Sequence, residues 1–192
     1  MALVPALLVP IKAFAAAKAR LAPVLGASER SDLARRLAAG VVQASGAVEV
    51  FVVCDDAEVA GFAESLGARV IWTPGLGLSG AVSKGVATMA ASGIETVVVA
   101  HADLPLPGRL GAIAGAMAAG VVTLVPDRKR DGTNVISVPA TGGFRFAYGP
   151  SSFSRHLAEA GRLGLETIVL EEEELSIDVD LPSDLAYLRP AS

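Results

Sequence analysis

Lys12, Lys18 and Arg20 follow the apolar stretch 3–9 almost at once, in a chain whose formal net charge is -4. Cations gathered against an acidic background suit an anionic ligand such as a nucleoside triphosphate. Asp103 stands in Val99-Ala100-His101-Ala102-Asp103-Leu104-Pro105, directly after the most β-branched segment of the chain. A carboxylate there would share an edge of the sheet with the lysines and would need a cation. Magnesium is the natural one, since it takes hard oxygen ligands, usually one or two carboxylates with substrate phosphates and water completing the shell. The second carboxylate is expected from Asp178 or Asp180, which alternation along a short extended segment puts on the same side. Plainer roles are open to the same residues. Asp103 would serve as N-cap of a helix after Pro107, and Asp180 or Ser183 as cap of a terminal helix opened by Pro182.

Further polar positions cluster late in the chain. Thr133 and Asn134 follow Asp131-Gly132, where glycine permits a tight backbone and a hydroxyl can hold a phosphate or carboxylate oxygen. Gly149-Pro150-Ser151-Ser152 precedes a helical pattern, and the free N–H groups of a helix start attract anions. Capping by Ser151 or Ser152 explains that stretch equally well. His101, beside a strand end, reads as a hydrogen-bonded structural group rather than a catalyst. Cys54 is the single cysteine, so no intrachain disulfide can form, and its place at the end of an apolar strand marks a small core residue.

The elements that must position these side chains alternate between strand and helix, the rhythm of an α/β, mainly parallel sheet with helices on both faces. Strands are expected at 3–9, 48–53, 68–72, 96–100, 121–125, 134–138 and 167–170, with 96–100 central because of its β-branched content. Helices are expected from Ser28, with Leu33, Leu37 and Val41 on one face, then at 55–62, 81–91, 152–163 and after Pro182. The polar loop 126–133 lies between two strands, and the acidic run Glu171–Glu174 reads as a solvated turn. With 192 residues the chain suffices for one domain, 1–192, and not comfortably for two. Hydrophobic content of 52% signals a buried parallel sheet, because no apolar run is long enough to cross a bilayer. The start lacks a charged leader, which points to a cytoplasmic protein. A pI near 5.2 leaves no broad basic face, so nucleic acid is not an expected partner.

Taken in order, several of these segments resemble one known group over nearly the whole chain: the guanylyltransferases of deazaflavin-coenzyme biosynthesis, the CofC/FbiD group of the nucleotide-diphosphosugar-transferase-like (Rossmann-like) superfamily. The resemblance is carried by Val9-Pro10-Ile11-Lys12 with Ala17-Lys18-Ala19-Arg20-Leu21-Ala22-Pro23, by Ser28-Glu29-Arg30, by Ala102-Asp103-Leu104-Pro105, by Gly132-Thr133-Asn134, by the run from Phe146 to Phe153 with His156, and by Asp178-Val179-Asp180. It implies transfer of GMP from GTP to the phosphate of a three-carbon acid, phosphoenolpyruvate in the bacterial branch, with 2-phospho-L-lactate and 3-phosphoglycerate as related acceptors. It further implies magnesium on Asp103 with Asp178 and Asp180, and a triphosphate held by Lys12, Lys18 and Arg20, with Lys18, Arg20 and Asp103 acting in catalysis. Ser79 would contact the nucleotide, and Thr133, Gly149 and Ser152 would hold the phosphorylated acid. The expected partners are then GTP and that acid, with no membrane, and a homodimer is compatible. Three positions depart from the group: Leu78-Ser79 where Leu-Asn is usual, Leu181 where Thr is usual, and His101 where an acidic or neutral residue is common. The rival readings are another small-molecule nucleotidyltransferase of the superfamily, whose first loop would be glycine-rich, and a nucleotide-binding module without chemistry.

Overall fold

The computed structural model describes residues 5–117 and 120–188. Its strands run near-continuously apolar, as strands covered on both faces must. They are β1 (Ala6–Pro10), β2 (Glu49–Cys54), β3 (Arg69–Trp72), β4 (Thr96–Ala100), β5 (Val122–Pro126), β6 (Thr133–Pro139) and β7 (Thr167–Val169). They form one seven-stranded sheet in the order β3-β2-β1-β4-β6-β5-β7. β4 is therefore central, as its Thr-Val-Val-Val-Ala sequence leads one to expect.

Alternate residues of each strand feed opposite cores. Leu7, Val9, Val98 and Ala100 pack against α1 (Ala27–Gln43), α2 (Ala57–Ser65) and α4 (Leu110–Ala116). Ala6, Leu8, Val97 and Val99 pack against α3 (Gly77–Ala91) and α5 (Ser152–Arg162). Each fully buried Leu, Val or Phe in these layers contributes on the order of 1.5–3 kcal/mol, which makes the two apolar layers the main source of stability. α3 reaches the sheet closely because Gly85 has no side chain. A Cβ there would stand 2.8 Å from both Leu8 Cδ2 and Val53 Cγ1.

Most elements lie within a few residues of the sequence expectation, α2 running on to Ser65 where 62 is expected, and two differences are larger or of another kind. α3 begins at Gly77 rather than at 81, because Gly75 and Gly77 take positive φ and turn the chain early into the helix. The segment after Pro182 is a 3-10 helix, Pro182–Tyr187. Residues 3 and 4 of the expected first strand lie outside the described residues.

The direction of the strands decides which loops meet. β1 pairs in parallel with β2 on one side and with β4 on the other, so the strand order reverses between β1 and β4. That reversal opens a crevice at their carboxyl ends, where ligands of such sheets bind. β6 runs antiparallel to β4 and β5, so it is the start of β6, at Thr133, that reaches the same edge. Among the described residues no helix is long and apolar enough to cross a membrane.

Candidate active site

A cleft of about 680 Å³ lies at this edge. It is lined by Lys12, Lys18, Arg20, Asp103, Thr133, Gly149, Ser152, Asp178 and Asp180, so nine of the ten residues singled out from the sequence share one cavity. Ser79 is the exception. Its hydroxyl accepts a hydrogen bond from the Tyr148 amide at 3.0 Å, which ties the start of α3 to the loop before α5. Its neighbours Gly77, Leu78 and Ala81 form that wall of the cleft instead.

The basic loop after β1 is differentiated. Lys12 is exposed and has no ion partner among the described residues. Lys18 takes a left-handed backbone conformation, φ 56, which is uncommon for a residue with a side chain and recurs at functional sites. Its ammonium is nearly buried, donating to Asp103 Oδ2 at 2.7 Å and to the Val179 carbonyl at 2.7 Å. Arg20 is exposed at the mouth and pairs with Asp180. Lys12 and Arg20 are thus available to an incoming anion, while Lys18 serves as an internal strut.

The acidic wall is built from two distant segments. In 175–180, Leu175, Ile177 and Val179 are buried while Asp178 and Asp180 face the other way, the alternation expected of an extended stretch. Val179 packs on Leu21, Leu33 and Leu37, and its amide donates to the Asp103 carbonyl at 3.2 Å, which sets the two carboxylate-bearing segments side by side. Burial, reinforced by the neighbouring Asp103 carboxylate, raises the pKa of Asp178 above the ordinary value.

The capping alternatives resolve differently from the sequence reading. Asp103 does not cap α4, whose N-cap is Arg109. The cap before the terminal 3-10 helix is made by neither Asp180 nor Ser183: Asp184 Oδ2 accepts from the Asp180 and Leu181 amides at 3.1 and 2.7 Å. Arg128 holds Asp184 in turn at 2.9 Å. This frees Asp180 for the cleft. At α5 neither Ser151 nor Ser152 makes a side-chain cap; the Ser151 amide donates instead to Asp131 Oδ1 at 3.0 Å.

Whether the acidic pair suits a divalent cation can be tested on unsatisfied atoms, because buried polar groups are rarely left without a partner. Asp103 Oδ1 is buried and has none among the described residues. With its other oxygen on Lys18 and with Asp178 beside it, the atom is placed for a hard cation. Among the described residues no group of three or more metal-ligating side chains gathers, however, and Asp180 is engaged by Arg20. The donor set that fits is therefore the pair Asp103 and Asp178, the number magnesium commonly takes from protein when phosphates supply the rest.

Two other cleft residues carry buried polar atoms without partners among the described residues: His101 at Nε2 and Tyr148 at its hydroxyl, with ring centroids 5.3 Å apart. Burial raises the Tyr148 phenol above its usual value, so it remains a neutral donor. Asp127 and His156 make contacts at the cleft to which the sequence reading gives no role, His156 being named only among the residues that carry the resemblance. Asp127 accepts from the amides of Lys129, Asp131 and Gly132 and so shapes the loop ahead of Thr133. The signal was present in Gly132, where a Cβ would stand 2.8 Å from Asp127 Oδ2. His156 is fully buried between Thr133 and the Ala147 amide. Cys54 is buried in the core, as expected, and burial raises its thiol pKa.

Known proteins resemble this chain over most of its length. A phosphoenolpyruvate guanylyltransferase of Rubrobacter xylanophilus is 34% identical over 186 residues, covering 94% of this chain and 91% of that protein. A 2-phospho-L-lactate guanylyltransferase of Methanothermobacter thermautotrophicus is 32% identical, covering 94% of this chain and 82% of that protein. Among solved structures, one from Desulfovibrio desulfuricans G20, assigned to the nucleotide-diphospho-sugar transferases, superposes with a TM-score of 0.75 at 18% identity, covering 94% and 84% of the two chains. A nucleotidyl transferase from Methanothermobacter thermautotrophicus gives 0.67 at 15% identity, covering 95% and 94%. The two structures speak for the fold. The model of the family described as "Guanylyl transferase CofC like" matches residues 5–189, and the chain belongs to that family.

Proposed function

We propose that this protein transfers GMP from GTP to the phosphate of a small three-carbon acid, with phosphoenolpyruvate as the first candidate and 2-phospho-L-lactate and 3-phosphoglycerate as alternatives. The observation that carries the reading is the convergence of Asp103 and Asp178 in one cleft with Lys12, which has no ion partner among the described residues, and the exposed Arg20, whose partner is Asp180. An oxygen of the acceptor phosphate attacks the α-phosphorus, the bond from that phosphorus to the β-phosphate oxygen breaks, and pyrophosphate leaves. The attacking oxygen is already ionised at neutral pH, so no side chain need remove a proton. The work left to the protein is positioning and charge neutralisation.

Lys12 and Arg20 would take the charge of the triphosphate, Arg20 exchanging its exposed partner Asp180 for phosphate. Thr133, Gly149 and Ser152, which line the same cleft, would hold the acid. Asp103 and Asp178 would hold magnesium, which when bound supplies neutralisation of charge on the phosphates. Lys18 supports catalysis by keeping Asp103 and the 178–180 segment in register. Guanine is supported as the base by the relatives' activities, and the deazaflavin coenzyme pathway by the family. A cytoplasmic location fits substrates of this kind.

The test is pyrophosphate release from GTP with each of the three acids, with and without magnesium. Turnover that requires GTP, one of the acids and magnesium is expected. No release with any acid would overturn the transferase reading and leave a nucleotide-binding module.

A further inference from the structure

We infer that His156 is a positioning residue for the acceptor: it turns the Thr133 hydroxyl into an obligate hydrogen-bond donor toward the cleft while fixing the loop that carries Gly149. The inference rests on the acceptor reading above and assigns a role to a residue outside the cleft wall.

The protonation of the ring follows from its partners. The Ala147 amide lies 3.0 Å from His156 Nε2, and a backbone N–H can only donate, so Nε2 is the acceptor and bears no hydrogen. In a neutral imidazole the hydrogen is then on Nδ1. Nδ1 stands 3.0 Å from Thr133 Oγ1 and donates to it. The Thr133 hydroxyl thereby has one lone pair filled, and its own hydrogen finds no acceptor among the described residues. Thr133 is 1% exposed and lines the cleft, so that hydrogen is a buried donor awaiting a ligand atom.

The surroundings keep the ring in this state. His156 is fully buried, with Phe144, Phe146 and Tyr148 ring centroids 5.8, 6.2 and 5.0 Å away. The charged or titratable groups facing it are Arg155 on its own helix, His101 at the end of β4 and Tyr148 in the preceding loop. None offers a carboxylate that would favour imidazolium. A proton on Nε2 would oppose the Ala147 N–H and release the loop from Ala147 to Gly149. The subsite is thus built to receive an unprotonated oxygen, of a carboxylate or a phosphate, and to reject a group that itself needs an acceptor.

Two substitutions separate positioning from mere packing. His156→Gln keeps a donor and an acceptor flanking one carbon, as the imidazole nitrogens do. His156→Phe keeps a ring and loses both. Expected are a KM for phosphoenolpyruvate raised about ten- to a hundredfold in His156→Phe, near-wild-type values in His156→Gln, and a KM for GTP unchanged in both. Thr133→Val should reproduce the acceptor defect, and combining it with His156→Phe should add little, because the two changes remove one interaction. An unchanged acceptor KM in His156→Phe, or KM rising equally for GTP, would overturn the inference. Should His156→Phe not fold, an acceptor KM in His156→Gln as high as in Thr133→Val would overturn it equally.

Calorimetric titration of each acid, with magnesium and a non-reacting GTP analogue present, separates the two levels of the argument. If the wild type binds none of the three acids, the acceptor reading falls and this inference with it. If it binds one and His156→Phe binds it as tightly, only the role of His156 falls.

Discussion

Lys18 Nζ lies 2.7 Å from Asp103 Oδ2 and the same distance from the Val179 carbonyl, so one ammonium joins the loop after β1, the end of β4 and the segment bearing Asp178 and Asp180. Its side chain is 8% exposed, against 71% for Arg20 in the neighbouring pair with Asp180. The two cations should therefore fail differently. Lys18→Met leaves a part-buried carboxylate without its partner and should cost roughly 2 kcal/mol or more in stability. Arg20→Ala breaks an exposed pair worth less than about 1 kcal/mol, yet should raise the KM for GTP. Denaturant titration beside steady-state kinetics distinguishes the two.

Asp103→Asn and Asp178→Asn should each abolish pyrophosphate release while the far-ultraviolet spectrum is retained. Asp180→Asn should be the mildest of the three, since its carboxylate is held by an exposed arginine. Wild-type turnover by Asp103→Asn would remove that carboxylate from the site.

Tyr148→Phe removes a buried hydroxyl that has no partner among the described residues. Because such a group bears its desolvation cost uncompensated, the variant should be as stable as the wild type or more so, by up to about 1 kcal/mol. A lowered melting temperature would show that the hydroxyl is satisfied.

Burial, with Arg155 and His101 adding to it, lowers His156 from 6.5 to about 4. The unfolded chain takes up this proton more readily, so the contribution is fully present above pH 6.5 and is lost as pH falls through about 4. The loss is on the order of 3 kcal/mol. Stability measured by denaturant between pH 7 and 4 should decline less in His156→Gln, which has no such proton to take up.

Gly85→Ala should destabilise by about 1–3 kcal/mol, because the added methyl meets Leu8 and Val53 at 2.8 Å. GTP and acceptor KM should stay close to wild type, since Gly85 faces the core. A neutral effect on the unfolding midpoint would mean that α3 can move off the sheet at little cost.

Much of the scaffold was legible from local pattern. The strand ranges and the centrality of β4 follow from hydrophobic runs and β-branched content, and the two-sided burial follows from strand-helix alternation. The facing of Asp178 and Asp180 follows from the period of an extended chain, which the buried Ile177 and Val179 bear out. The early start of α3 was not legible, because it depends on Gly75 and Gly77 taking positive φ.

What tertiary structure alone decided is which polar group answers which. Lys18 pairs with a carboxylate 85 positions away, Ser79 is taken by an amide 69 positions away, and His156 is bound by Thr133 across 23. Periodicity and capping act between near neighbours in the chain and so can be read along it. Hydrogen-bond partners across the cleft depend on strand order and direction: the start of β6 lies beside the end of β4 because the two run antiparallel. Residue types announced an anion-binding, carboxylate-bearing edge; only the meeting of those strand ends determined that Lys18 braces the site, that Arg20 pairs with Asp180 at its mouth and that Lys12 is exposed without an ion partner among the described residues.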